Sequence, residues 1–119
     1  MKTILIVDDS AFSRSILVQI VEALGHTTIE AGSGTDAVKT FKEIKPDLVI
    51  MDLLMPDMDG LEAIEQILAV SPAAKTIICS TDKQVSRQEE ARTKGVLAFV
   101  KKPVNGDKLK SVLSGIFEE

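Results

Sequence analysis

The sequence predicts a doubly wound α/β fold, a five-stranded parallel sheet with helices on both faces. Three observations carry this reading. Short apolar runs alternate with longer segments of helical period, five times along the chain. Two of the runs, DLVIM (47–51) and KTIIC (75–79), read as strands covered on both faces. Polar residues capable of chemistry follow four of the runs, where parallel sheets place their sites.

The elements follow in order. TILIV (3–7) is a short apolar strand. Ser10 caps a helix whose apolar positions are Phe12, Ile16, Ile20 and Leu24, and Gly25 ends it. TTIEA (27–31) is a weaker strand. Residues 34–44 form a helix with Ala37, Val38, Phe41 and Ile44 on one face, and Pro46 stops it. After DLVIM, residues 61–70 form a helix that turns Leu61, Ile64, Ile67 and Leu68 inward, with Pro72 beyond it. KTIIC leads to a helix over 85–94 that is poor in apolar residues and stops at Gly95. VLAFV (96–100) is the fifth strand. Asn105 caps a last helix through Leu109, Val112, Leu113 and Ile116.

Length and composition set bounds. A chain of 119 residues suits one domain, here 1–119, with a core that needs no staples. A single cysteine excludes an internal disulfide. With no leader pattern at Met1, a reducing cytoplasm is the expected setting. No apolar run approaches the roughly 20 residues of a membrane helix. The net charge of -4 and the lack of a basic stripe, Trp or Tyr argue against direct nucleic-acid binding.

The acidic residues collect at strand ends. Asp8 and Asp9 follow the first strand, Asp52 the third, Ser80 and Thr81 the fourth, and Lys101, Lys102 and Pro103 the fifth. Carboxylates crowded on one rim repel unless a cation joins them. An all-oxygen set suits Mg²⁺, which takes one or two carboxylates together with a phosphate and keeps several waters. The set suits an aspartate that accepts a phosphoryl group, with ammonium and metal offsetting the charge that develops. Cys79, His26 and the methionines 51, 55 and 58 read more simply. Cys79 and the methionines are packing residues, and His26 is solvated in a turn.

Four stretches, LIVDDS (5–10), VIMDLLMPDMDG (49–60), ICST (78–81) and AFVKKP (98–103), closely resemble the receiver domain of bacterial response regulators. Ser80 lies 22 positions before Lys102, and Gly60 lies eight after Asp52. The resemblance spans the chain. It implies the flavodoxin-like (βα)5 sheet with strand order 2-1-3-4-5. It implies that Asp52 is the phosphoacceptor and that Asp9 binds Mg²⁺ directly, with Mn²⁺ a possible substitute. Asp8 would hold a metal-bound water, and the Leu54 backbone carbonyl would supply a further oxygen. Lys102 would pair with Asp52 and then with its phosphoryl group. Ser80 would donate to a phosphoryl oxygen, Phe99 would change rotamer in step, and the Lys102–Pro103 bond is commonly cis. The implied donor is a sensor histidine kinase or phosphotransfer protein. The implied output is a downstream protein target read by the fourth helix, fifth strand and fifth helix, in a monomer or weak dimer. Among the two neighbours at the fifth strand, Lys101 and Lys102, only this resemblance selects Lys102.

Departures from the pattern sharpen the expectations. Leu54, two positions after the acceptor, cannot hold a water by hydrogen bond and would tend to cover the site, so a phosphoaspartate should decay slowly. Thr81 adds bulk beside Ser80, itself a Ser where Thr is commoner. A phosphatase with an aspartate nucleophile would need a second aspartate where Leu54 stands. A dinucleotide enzyme would need glycines where DDSAFSR stands. A phosphorylation-independent interaction module is the remaining alternative, although such chains usually lose an acid or the lysine. The ends of the sequence read as a natural stand-alone receiver of the chemotaxis type, an excised domain being the other reading.

Overall fold

The first apolar run is paired on both sides. In the computed structural model, which describes residues 1–81 and 85–118, Thr3–Val7 forms β1. Its neighbours are β2 (Thr27–Ala31) and β3 (Leu48–Met51), and β4 (Thr76–Ser80) and β5 (Phe99–Lys101) extend the sheet beyond β3. All pairs are parallel, in the order β2-β1-β3-β4-β5. This is the sheet the sequence predicts. The connecting helices are α1 (Ala11–Ala23), α2 (Gly34–Ile44), α3 (Gly60–Val70), α4 (Val85–Thr93) and α5 (Gly106–Phe117).

Four helices begin where a side chain replaces the missing backbone partner. Ser10, Ser33, Asp59 and Asn105 accept from N–H groups in the first turns of α1, α2, α3 and α5. Each such cap contributes about 1 kcal/mol. The chain leaves α1 through Gly25 at φ 94° and α4 through Gly95 at φ 98°, a region that only glycine enters without strain.

The sheet separates two apolar layers. On one side, Val38 and Phe41 of α2 and Leu61, Ile64 and Ile67 of α3 pack on Leu5, Val7, Val49 and Met51. On the other, Leu17 and Val21 of α1 and Leu109 and Leu113 of α5 pack on Ile4, Ile6, Ile50 and Ile77. Each fully buried aliphatic side chain contributes about 1.5–3 kcal/mol. Among its described side chains, α4 buries Ala91 alone. Among the described residues, no helix is long and apolar enough to cross a membrane.

Four expectations are corrected. The inward face of α1 is Leu17 and Val21; Phe12 is 78% exposed and Ile16 is also exposed. The helix is apolar on several sides, so its period admits two stripes, and docking against β1 and α5 selects one. Ile44, at the end of α2, is exposed as the chain turns away at Lys45. β5 is Phe99–Lys101 rather than 96–100, because the Val96 N–H closes the end of α4 on the Ala91 carbonyl. His26 is buried: its Nδ1 accepts from the Lys2 N–H, and its ring lies 5.8 Å from that of Phe117.

Candidate functional site

The carboxyl ends of β1, β3 and β4 and the segment after β5 meet on one rim. Strand pairing sets the meeting point: the Asp52 N–H donates to the Val7 carbonyl, and the Lys102 N–H donates to the Ser80 carbonyl. Two acidic residues and a lysine from three elements are thereby fixed by backbone bonds before any side chain contributes.

Asp8 is the more enclosed acid, 1% exposed. Its carboxylate accepts from the Ser10 N–H at 2.9 Å and from Lys102 Nζ at 2.5 Å. Burial pushes this carboxyl up, but hydrogen bonds from Lys102, Ser13 and Ser10 outweigh it and hold it below the ordinary carboxylate range. Asp52 is 8% exposed, with its Oδ2 3.5 Å from Lys102 Nζ. Burial pushes Asp52 above its ordinary value, and the Asp8 charge adds to that. The Lys102 charge and hydrogen bonds from the Ser80 hydroxyl and the Leu54 N–H pull the other way without prevailing. Burial disfavours the Lys102 ammonium, yet its bond to Asp8 and the charge of Asp52 leave it above its ordinary value. The lysine is a fixed cation shared between two acids.

Asp9 lies exposed at the mouth of this cluster. One carboxylate oxygen from each of Asp8, Asp9 and Asp52 falls within 4.8 Å of the others. Three hard oxygen donors converging from two strands fit Mg²⁺ and offer nothing to a soft metal.

The remaining predicted residues take these places. Ser80 is the last residue of β4 and is fully buried. Thr81 is exposed and lines a groove with Phe12, Ile16 and Pro103. The Leu54 N–H helps to lower the Asp52 carboxyl, while the Leu54 side chain, 53% exposed, stands on the rim. Phe99 opens β5 beside Ile78, partly buried, and lines a cleft with Gln88, Ala91 and Val96. The Lys102–Pro103 bond is cis. Cys79 is a buried small side chain, its thiol pushed up to about 12 mainly by burial. Residues 82–84, between Thr81 and α4, lie outside the described residues.

The loop after Asp52 is shaped by close approach. A Cβ on Gly60 would fall 2.1 Å from the Asp52 carbonyl oxygen, and the Gly60 N–H donates to Leu53 O. Asp57 accepts from the N–H groups of Gly34 and Thr35 at the start of α2. Asp59 caps α3 and accepts from Arg87 of α4 through both oxygens, at 2.8 and 2.6 Å. Two residues here were not legible as site residues. Arg14 donates to the Asp8 carbonyl at 2.6 Å and pairs with Glu30. Arg87 meets a partner 28 positions away, a distance no local spacing reveals. Paired aspartates in a turn, at 57 and 59, were the only signal available.

Known proteins resemble this chain along almost its whole length. Residues 4–114 match the response regulator receiver domain family. The chemotaxis protein CheY of Listeria monocytogenes is 42% identical over 114 residues, covering 95% of this chain and 96% of that one. CheY of Thermotoga maritima is 40% identical over 116 residues, 97% of each chain. A solved CheX-CheY-BeF3-Mg²⁺ complex from Borrelia burgdorferi superposes with a TM-score of 0.93 at 30% identity, covering 97% of this chain and 88% of that one. With its acids, hydroxyl and lysine gathered on one rim of the matching sheet, the chain belongs to the response regulator receiver family, and it is a phosphorylation-activated switch of two-component signalling.

Proposed function

We propose that Asp52 is the phosphoacceptor and that the donor is the phosphohistidine of a sensor kinase or phosphotransfer protein. The observation that carries this is the shared lysine. Lys102 lies 2.5 Å from Asp8 and 3.5 Å from Asp52, so it already contacts the acid that would receive the phosphoryl group. A carboxylate oxygen of Asp52 attacks phosphorus. The new O–P bond forms as the P–N bond breaks, and the electron pair leaves with the imidazole, which takes up a proton. Lys102 stays protonated and neutralises charge on the transferred group, and the Ser80 hydroxyl donates to one of its oxygens. Asp8, Asp9 and Asp52, with the Leu54 carbonyl, would hold Mg²⁺ or Mn²⁺. When bound, the ion would offset the negative charge of the phosphoryl oxygens.

The output is a change of surface. Phosphorylation raises the charge at Asp52 from one negative to about two, and the new phosphoryl oxygens draw on Ser80, whose strand runs beside β5, where Phe99 borders α4. Phosphorylation then biases a two-state equilibrium of the α4–β5–α5 face, which a downstream protein reads. The coupling in such switches is typically about 1–3 kcal/mol. The chain assists its own phosphorylation and slow dephosphorylation and turns over no separate substrate. A cytoplasmic receiver, monomeric or weakly dimeric, is part of this reading, and the near-complete mutual coverage with the CheY proteins supports a single receiver domain over the matched residues. The beryllofluoride and Mg²⁺ named in the Borrelia complex support the same acceptor chemistry, and its CheX supports a protein partner.

The test is intact mass after incubation with acetyl phosphate, with and without Mg²⁺, beside Asp52→Asn. The reading expects a Mg²⁺-dependent gain of one phosphoryl group, absent in the variant. A gain that persists in Asp52→Asn would place the acceptor elsewhere.

A further inference from the structure

The loop that leaves Asp52 is fastened at both flanks. On one side, Asp57 accepts from Gly34 and Thr35 of α2, and Met58 fills the space beside Gly34, where a Cβ would come within 2.8 Å of it. On the other, both oxygens of Asp59 accept from Arg87 Nη2. Asp59 Oδ1 also accepts from the Leu61 N–H at 2.9 Å, so the same carboxylate starts α3 and holds α4. Arg87 is three-quarters buried and its partner 40% exposed, so the pair is half shielded from solvent. The remaining anchorage of α4 is slight: Ala91 is its buried apolar residue among those described, and Lys94, just beyond its last turn, pairs with Glu65 of α3. Among the described side chains, the helix is held to the loop after Asp52 by charge more than by apolar burial.

From this geometry we infer that Arg87 is a positioning residue for phosphoryl transfer, acting through Asp59. It holds the 53–59 loop, and with it the end of β3 that carries Asp52, in the receiving geometry. It thereby couples that loop to α4. The inference rests on Asp52 as the acceptor. Arg87 reaches the loop through Asp59. Its effect is to remove loop conformers in which Asp52 and its neighbours are displaced, the kind of remote restraint that changes rates when lost.

Neutralising either partner separates a positioning role from a merely structural one. Arg87→Met removes the donor. Asp59→Asn keeps an oxygen to cap α3 and loses the charge that holds the arginine. Each should slow phosphorylation by acetyl phosphate, at saturating Mg²⁺, by about three- to tenfold, the scale of one partly shielded charge pair. The double variant should be no slower than either single variant, and Arg87→Lys should recover part of the rate. Additive effects, or full wild-type rates in Arg87→Met, would overturn the inference. Hydrogen exchange supplies the second measurement. In Arg87→Met, exchange must rise in residues 53–61 as well as in α4, and an increase confined to α4 would also overturn it. Should the wild type accept no phosphoryl group, the proposed acceptor role fails, and the exchange comparison still decides whether position 87 holds the loop.

Discussion

Lys102 donates to Asp8 at 2.5 Å and stands a full ångström farther from Asp52. The lysine that the family resemblance pairs with Asp52, the proposed acceptor, is bound more tightly to Asp8. Asp8 therefore holds the lysine in place, and the lysine in turn tempers the charge at Asp52.

Removing the lysine leaves two enclosed carboxylates without their cation. Lys102→Met should destabilise the fold by about 3 kcal/mol at neutral pH, as expected when one partner of a buried pair is lost. The pH dependence follows from the two shifts. Asp8 lies below its ordinary 3.8, so its contribution is present above that pH and lost as pH falls through the folded value. Lys102 lies above its ordinary 10.5, so its contribution is present below that pH and lost as pH rises through the folded value. Urea midpoints of wild type and variant should differ most between these limits and converge beyond them.

Asp52 behaves in the opposite sense. Its folded value lies above 3.8, so protonation favours the folded chain, and the contribution is lost as pH rises through that value. In EDTA, Asp52→Asn should be more stable than wild type at pH 7, by about 1 kcal/mol. The difference should shrink as pH falls towards 3.8. Chemical denaturation at several pH values measures it, and a variant less stable at pH 7 would show that the Lys102 attraction outweighs burial.

Gly60→Ala should fail for a backbone reason. The added carbon would fall 2.1 Å from the Asp52 carbonyl oxygen and 2.9 Å from Leu53 Cα, and neither can swing aside as a side-chain tip can. A loss of about 2 kcal/mol or more is expected, with slower phosphorylation. Thermal unfolding and intact mass read the two effects.

Leu54→Asn should shorten the lifetime of the phosphorylated protein. The leucine side chain is half exposed on the rim and cannot orient a water, whereas an amide can. Decay followed by intact mass after removal of the donor should be several-fold faster in the variant. Equal rates would show that position 54 does not control the attacking water.

The sheet was legible because β1, β3 and β4 each carry an unbroken apolar run that gives way to polar residues at its carboxyl end. Their order came from resemblance, and the pairings bear it out. The convergence of Asp8, Asp9, Asp52 and Ser80 was legible for the same reason, since strand ends in a parallel sheet share a rim, whereas Lys102 was separated from Lys101 by the resemblance alone. What escaped depends on packing between distant elements. α1 carries apolar residues on more than one side, so its own sequence could not choose Leu17 and Val21 over Phe12 and Ile16. The burial of His26 depends on Phe117 at the far end of the chain. The Asp59–Arg87 and Asp8–Arg14 contacts are bonds between an arginine and an element it meets only after folding.

The sparse anchorage of α4 also bears on how such a chain diversifies. A helix whose described side chains bury Ala91 alone can exchange its exposed residues with small effects on stability, since exposed substitutions usually fall within about 0.5 kcal/mol. The rim around Asp52 is enclosed, with Asp8, Asp52 and Ser80 all buried. Duplicated copies could therefore acquire new listeners by resurfacing α4 while inheriting the chemistry unchanged, and unwanted cross-talk between copies would be selected against at the helix rather than at the aspartate.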